Sequence, residues 1–321
     1  MKALVTGVCG FIGHNVAKKL LSLGYDVTGI DSLTDYYDLD LKLENLKELD
    51  DPRFRLVRQD INRTDLVSLM TNVDFVFHLA GQPGVRKSWG SDFVEYCESN
   101  VLATQRLLEA ARVTPTLLRF VYSSSSSIYG NADTFPTPET ASPQPVSPYG
   151  VTKLAGEHLC SLYASNFGVP TVSLRYFTVY GPRQRPDMAF TRFCRSAFSG
   201  QPVKIFGDGE QIRDFTYVDD VVLANFAAAT VHTRPGSVFN VSGGSSVSVN
   251  QILALITRYS GRELKVEYVA GVAGDVLRTG GSSAAAGREL GWRPYVTIEE
   301  GLKRQVQWAS VGVLGLTSPR V

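Results

Sequence analysis

Bulk charge, metal-ligand clusters and long apolar runs are all scarce in this 321-residue sequence. Its 32 Lys and Arg stand against 31 Asp and Glu, a net charge of +1. No polyanion or membrane surface is recruited by charge of that size, so any anionic ligand has to be caught locally. Cys9, Cys97, Cys160 and Cys194 lie far apart with no CxxC pair, and His14, His78, His158 and His232 show no ligand spacing. We therefore expect no metal and a reducing cytoplasm. No uninterrupted apolar stretch approaches the roughly 18 residues a spanning helix needs. The opening Met1-Lys2-Ala3-Leu4-Val5-Thr6 runs into a glycine turn without the basic region and apolar run of a signal peptide.

What is present is a composition that can build a sizeable core, 44% hydrophobic and 20% charged. Residues 3–6 read as a short strand. Gly7-Val8-Cys9-Gly10-Phe11-Ile12-Gly13 follows, then a helical pattern through Val16, Leu20 and Leu21. Strand, glycine turn and helix form the setting of a dinucleotide phosphate site. Gly7 permits the turn, Gly10 lets backbone approach the pyrophosphate, and Gly13 lets the helix pack on the sheet. The next strand, 26–30, ends at Asp31, whose carboxylate would accept from ribose hydroxyls and repel a 2′-phosphate, favouring NAD over NADP.

Strand and helix patterns then alternate: strand 54–58, helix 64–70, strand 74–79, helix 92–111, strand 119–123, helix 149–166 and strand 171–175. This alternation predicts a Rossmann-type doubly wound parallel sheet with ligands at the carboxyl ends of its strands. Landmarks fall at those ends: Asp60 for the adenine edge, Leu79-Ala80-Gly81 beside the pyrophosphate, and the run Ser123 to Ser127. Beyond residue 188 we expect a smaller α/β lobe, with helices 190–198, 219–229, 249–259 and 298–309 and strands 203–206 and 238–241. The expected division is 1–178 for the cofactor, 179–310 for the substrate with the chain crossing back to the sheet, and 311–321 as a tail. The apolar run after Trp308 reads either as a frayed end or as a small packing element.

Ser147-Pro148-Tyr149-Gly150-Val151-Thr152-Lys153 enters the helix after the serine run. Residues four apart share a helix face, which would set the Tyr149 phenol beside the Lys153 ammonium. A cation there lowers a phenol from its usual value of about 10 toward working pH. Alone, the pair is common on helix faces; the upstream features give it meaning.

Together these residues resemble the extended short-chain dehydrogenase/reductase family, in its nucleotide-sugar epimerase branch. The match rests on Gly7, Gly10 and Gly13, Asp31, His78-Leu79-Ala80-Gly81, the serine strand end before Tyr129-Gly130, and Tyr149-x-x-x-Lys153, and runs to about Trp308. Arg175-Tyr176-Phe177-Thr178-Val179-Tyr180-Gly181-Pro182, followed by Arg183-Gln184-Arg185-Pro186-Asp187-Met188, resembles the signature of UDP-glucuronate 4-epimerases. UDP-hexose epimerases and UDP-glucuronate decarboxylases usually carry Asn where Thr178 stands. The decarboxylases and dehydratases also place a carboxylate where this chain has Ser125-Ser126-Ser127.

The resemblance implies tightly held NAD and oxidation of a UDP-sugar at carbon 4, rotation of the 4-keto sugar, and re-reduction. Tyr149 would take the 4-hydroxyl proton, Lys153 would lower the phenol and bind the nicotinamide ribose, and Ser125 would bond the sugar oxygen. It further assigns Phe11, Ile12, Ser32, Ile61 and Tyr176 to the cofactor. Arg213 and Arg278 would clamp the diphosphate, with Phe206 in the nucleotide-binding stretch, Phe177 and Met188 at the substrate, and Arg86 in a substrate loop of residues 82–88. A glucuronate oxidised at carbon 4 is a β-keto acid, so its carboxylate must be restrained; Ser126, Ser127 and Thr178 offer neutral donors and Arg185 a charge. A UDP-glucose or UDP-N-acetylglucosamine 4-epimerase is the nearest rival, a decarboxylase is disfavoured by the missing Glu, and a non-catalytic NAD-binding scaffold would be expected to have lost Tyr149 or Lys153. The family implies a homodimer paired through the helix bearing Tyr149 and the helix before it.

Overall fold

Seven parallel strands form the central sheet of the computed structural model, which describes residues 1–271 and 278–311. In spatial order they are Ser237–Val241, Thr171–Tyr176, Arg119–Ser125, Phe75–His78, Lys2–Thr6, Asp26–Ile30 and Phe54–Val57. Thr6 lies level with Ile30 on one side and His78 on the other. The chain winds outward from Lys2–Thr6 and then returns to its opposite flank, which opens a crevice at the carboxyl ends of Lys2–Thr6 and Phe75–His78.

Helices cover both faces. On one, Val16 and Leu20 of the helix Phe11–Ser22 join Phe75, Phe77 and Val121; on the other, Leu107 and Tyr163 join Leu4, Val76 and Phe120. Arg119–Ser125 and Thr171–Tyr176 are buried throughout, so their polar side chains must be paired. Arg175 meets Glu157 through Nε (3.0 Å) and Nη2 (2.6 Å), while Ser124 Oγ donates to Glu157 at 2.7 Å. This buried pair fixes the strand end that carries the serines, and removing either partner would leave a buried charge uncompensated.

The smaller lobe holds three two-stranded pairs: Thr178–Tyr180 with Phe215–Tyr217, Ile212–Arg213 with Val247–Ser248, and Val203–Phe206 with Val266–Val269. Helices Ala189–Ser199, Val249–Ser260, Ala284–Glu289 and Ile298–Ser310 accompany them, while Val218–Thr230, expected in the lobe, packs beside Phe11–Ser22 on the central sheet.

Several expectations from sequence change in detail. The strand read at 238–241 within the lobe is Ser237–Val241, the edge of the central sheet, paired with Thr171–Tyr176. Helix 64–70 shortens to Leu66–Leu69, because Asp65 caps it by accepting from Ser68 N at 3.2 Å. The helix read at 92–111 is broken into Phe93–Tyr96, a π-helical turn Cys97–Leu102, and Ala103–Arg112. A helix not read at all, Leu39–Lys47, lies beside the glycine turn and its Asn45 Nδ2 donates to Cys9 O at 2.9 Å. Of the tail 311–321, all but residue 311 lies outside the described residues. No helix among the described residues is long and apolar enough to cross a membrane, and none of their His, Cys, Asp and Glu cluster as a metal site.

Candidate active site

A cavity of about 440 Å³, within the span of small-molecule sites, runs along the crevice from Asp31 past the glycine turn to Tyr149 and Thr178. At its floor Gly7 takes φ +67 and its N donates to Ile30 O at 2.8 Å. A Cβ on Gly7 would lie 2.8 Å from the backbone of Ala80, and one on Gly13 would lie 2.1 Å from Gly7 O. The turn is therefore pressed against both its helix and the neighbouring strand end. The helix Phe11–Ser22 has no side-chain cap and no acid in its first turn, so its first N–H groups remain available for an anion. Thr6 Oγ1 ties the two strand ends together, accepting from Leu79 N (3.1 Å) and Ala80 N (3.0 Å). It also meets Nδ1 of His78, whose buried imidazole is pushed down to about 3, by burial and then by Lys153, and stays neutral.

Asp31 sits at the far end. Its Oδ2 accepts from Cys9 N (3.0 Å) and its Oδ1 from Leu33 N (2.8 Å), which fixes the carboxylate against the turn. Ser32, Asp60 and Ile61 line the same end, and Asp60 Oδ1 accepts from Asn62 N at 2.8 Å. Lys42 also lines it, held by Thr34 O at 2.6 Å and stacked 4.7 Å over Tyr37. Sequence reasoning missed Lys42, Tyr36 and Tyr37.

At the other end, Ser147 caps the helix Pro148–Phe167 by accepting from Gly150 N at 3.1 Å, and Pro148 stands in its first turn. This start delivers Tyr149 to the cavity beside Ser125, Ser126, Ser127, Tyr176, Phe177, Thr178, Arg185 and Met188. Tyr96 packs edge-on against the Tyr149 ring, 6.3 Å between centroids. Burial pushes the Tyr149 phenol above its ordinary value, while a hydrogen bond with Ser125 and the charge of Arg185 pull it back. The phenol depressed by Lys153, expected from spacing, is corrected here. Lys153 Nζ reaches past the strand to donate to Ser123 O at 2.8 Å, 5.4 Å over the Tyr122 ring, and burial lowers that ammonium to about 8.

Asn100, in the π-helical turn, is a second residue that sequence reasoning missed. Its Oδ1 accepts from Gln82 N at 2.7 Å, and its Nδ2 donates to Gln82 O at 3.1 Å and to Thr152 Oγ1 at 3.0 Å. It locks the loop after Phe75–His78 to the helix bearing Tyr149. A π-bulge at such a junction is a common device of functional sites.

Four expected substrate residues do not line this cavity. Arg86 stacks on Phe206, 4.2 Å from its ring centre. Arg278 bridges Ile212 and lies 4.9 Å over Phe135, and Arg213 Nη1 donates to Ile212 O at 3.0 Å. The structure thus gathers these four into two neighbourhoods, Arg213 beside Arg278 in the smaller lobe and Arg86, from the loop after Phe75–His78, on Phe206. No carboxylate stands among Ser125, Ser126 and Ser127 at the strand end.

Known proteins resemble the chain along almost its whole length. An uncharacterized UDP-glucose epimerase of Bacillus subtilis is 42% identical over 312 residues, covering 97% of this chain and 98% of its own. A UDP-glucuronate 4-epimerase of Thermodesulfobacterium geofontis is 38% identical over 325 residues, with 99% of each chain covered. The crystal structure of the Bacillus cereus UDP-glucuronic acid 4-epimerase, in complex with UDP-glucuronic acid and NAD, superposes with a TM-score of 0.93 at 42% identity, covering 97% of this chain and 99% of that one. With residues 3–242 matched by the family's model, the chain belongs to the NAD dependent epimerase/dehydratase family.

Proposed function

We propose that this protein is a UDP-sugar 4-epimerase that binds NAD and converts UDP-glucuronate to UDP-galacturonate. One observation carries the reading. Tyr149, hydrogen-bonded to Ser125, shares a cavity with the glycine turn; the strand end beside it offers Ser126 and Ser127 where a decarboxylase or dehydratase would need a carboxylate, and Thr178 lines the same cavity. The Thermodesulfobacterium geofontis relative and the solved Bacillus cereus structure support the same choice.

The residues fit a dinucleotide. Gly7, Gly10 and Gly13 with the first turn of Phe11–Ser22 would hold the pyrophosphate, Asp31 and Ser32 the adenosine ribose, Asp60 and Ile61 the adenine, and Leu79, Ala80, Gly81, Lys153 and Tyr176 the nicotinamide half. Bound NAD supplies a hydride acceptor and then a hydride donor for carbon 4 of the sugar. Tyr149 Oη takes the proton of the 4-hydroxyl and gives one back after the sugar has turned, with Ser125 bonding the same oxygen. A positioned base and acid of this kind is worth about 10² to 10⁴ in rate. Lys153 presents its ammonium to the ribose and the strand-end carbonyl. Arg213 and Arg278 hold the diphosphate, since planar guanidinium groups match phosphate oxygens. Arg86 and Phe206 close the nucleotide side, while Phe177 and Met188 wall the hexose. Ser126, Ser127 and Thr178 hold the carboxylate off the geometry that would release carbon dioxide.

A homodimer belongs to this reading. Val94 and Leu102 on the broken helix, with Val151 and Leu162 on Pro148–Phe167, are large apolar side chains exposed on neighbouring helices. So does a reducing compartment, in keeping with four free thiols, three of them buried.

The test is to incubate the protein separately with UDP-glucuronate, UDP-glucose and UDP-N-acetylglucosamine and to identify product sugars and carbon dioxide. UDP-galacturonate without stoichiometric gas is expected. Preference for a neutral sugar would favour the rival epimerase, stoichiometric carbon dioxide a decarboxylase, and inertness toward all three a scaffold.

A further inference from the structure

The segment that delivers Arg185 is fixed before it reaches the cavity. Gln184 is buried, its Nε2 donating to Val179 O at 2.9 Å and its Oε1 accepting from Thr191 N and Gln305 Nε2, each at 3.1 Å. Arg183, at φ +67, donates to Asn45 Oδ1 at 3.1 Å, and Met188 N turns back to Arg185 O at 3.1 Å. Arg185 leaves this turn and joins Tyr149, Ser125 and Thr178 in lining the cavity.

Asp187, two residues on, grips the guanidinium along one edge. Nε meets Oδ1 at 3.0 Å and Nη2 meets Oδ2 at 2.9 Å, while the Tyr36 ring lies 5.9 Å from the guanidinium carbon. The pairing uses Nε and one N–H of Nη2, so both N–H groups of Nη1 and the second of Nη2 are the donors left for a ligand.

An arginine beside an anionic sugar creates a conflict. Uncompensated, it would take the carboxylate in a forked, charge-assisted pair, roughly twice as strong as bonds from neutral hydroxyls. Such a grip favours the one ring orientation that makes it, whereas epimerisation needs the hexose to let go and turn. A carboxylate on the same guanidinium removes most of that bias and still holds the side chain in place.

We propose that Asp187 is a positioning residue that balances the charge of Arg185, so that the carboxylate of a UDP-hexuronate is held mainly by hydroxyl groups and turns over with its ring. The inference rests on the reading that a UDP-hexuronate occupies this cavity.

The experiment compares the NAD-loaded wild type with D187N, R185A and the double variant. It measures dissociation constants of UDP-glucuronate and UDP-glucose by calorimetry, and kcat and KM for UDP-glucuronate. D187N is expected to bind UDP-glucuronate about three- to tenfold more tightly and to lose about tenfold in kcat, with UDP-glucose binding within about twofold of wild type. In the R185A background the same substitution should change neither constant. Equal weakening of both sugars, or an effect of D187N that persists without Arg185, would overturn the proposal. The binding arm does not depend on turnover, so a wild type that binds UDP-glucuronate without converting it would sink the functional reading and leave the role of Asp187 to be decided by the dissociation constants.

Discussion

Replacing Lys153 by Met separates stability from function. The ammonium is buried, bonded to Ser123 O, and lowered from 10.5 to about 8 by burial, with Cys160 opposing. Between those two values the unfolded chain holds a proton that the folded protein has released. Folding therefore gains stability as pH rises from about 8 toward 10.5, and below that window the buried charge is a penalty. The gap corresponds to about 3 kcal/mol. Met keeps the length and removes the charge, but it leaves Ser123 O without this donor, which costs about 1–3 kcal/mol. At pH 7 the variant should be as stable as wild type or up to about 2 kcal/mol more stable, and this advantage should shrink steadily toward pH 10. Cys9 and Cys194, whose thiols burial pushes up, act in the opposite direction on the alkaline side, but both proteins share them and they drop out of the difference. Urea titrations of the cofactor-free proteins at pH 7, 8, 9 and 10 give that difference directly. Activity should fall by at least about 10² in parallel. A difference that stays flat from pH 7 to 10, or a variant more than about 3 kcal/mol less stable at pH 7, would refute the reasoning.

Other outcomes follow from the same geometry. Gly13→Ala puts a methyl 2.1 Å from Gly7 O and 3.0 Å from Val8 Cα, all rigid backbone, so bound NAD should be lost from the purified protein, as read by absorbance after denaturation; Gly10→Ala, which meets only Gly7 O at 3.2 Å, should retain more. Thr178→Asn and Ser127→Ala should each lower UDP-glucuronate turnover at least about tenfold with UDP-glucose binding within about twofold, and equal losses for both sugars would count against hydroxyls holding the carboxylate. Leu162→Asp places a charge on the exposed apolar helix face and should yield monomers by light scattering with the melting temperature little changed; an unaltered mass would move the dimer contact elsewhere.

The sheet was legible because its inner strands are largely buried and so read as short apolar runs, each ending in a polar or glycine residue: Thr6-Gly7, Ile30-Asp31, His78 before Leu79-Ala80-Gly81, and Tyr122 before the serines. Elsewhere local pattern misled. Leu39, Leu41 and Leu43 alternate with period two, so the helix Leu39–Lys47 carries no clean helical stripe, and with it went Tyr36, Tyr37 and Lys42 at the adenosine end. Asn100 looks like one more polar residue on a helix. Only the approach of the Gln82 backbone reveals why a π-helical turn is built there. The edge strand Ser237–Val241 is separated from its partner by the lobe's first helices and strands, and no periodicity encodes that return.

The correction at Tyr149 also bears on mechanism. Helix spacing says which two residues share a face, and it is silent on how far each side chain travels along that face. Lys153 extends to a strand carbonyl, so the phenol is answered instead by Ser125 from the strand end and by Arg185 from the turn after Thr178–Tyr180. The same burial moves an acid and a base in opposite directions, raising the phenol while lowering the ammonium. From ordinary values of 10.0 and 10.5, that makes the ammonium the more acidic of the two without any contact. A group that must first accept a proton and later return it works best with its pKa near the operating pH rather than far below it. Burial leaves the phenol above its ordinary value, and the Ser125 hydroxyl and the Arg185 guanidinium are the groups that pull it back toward that range.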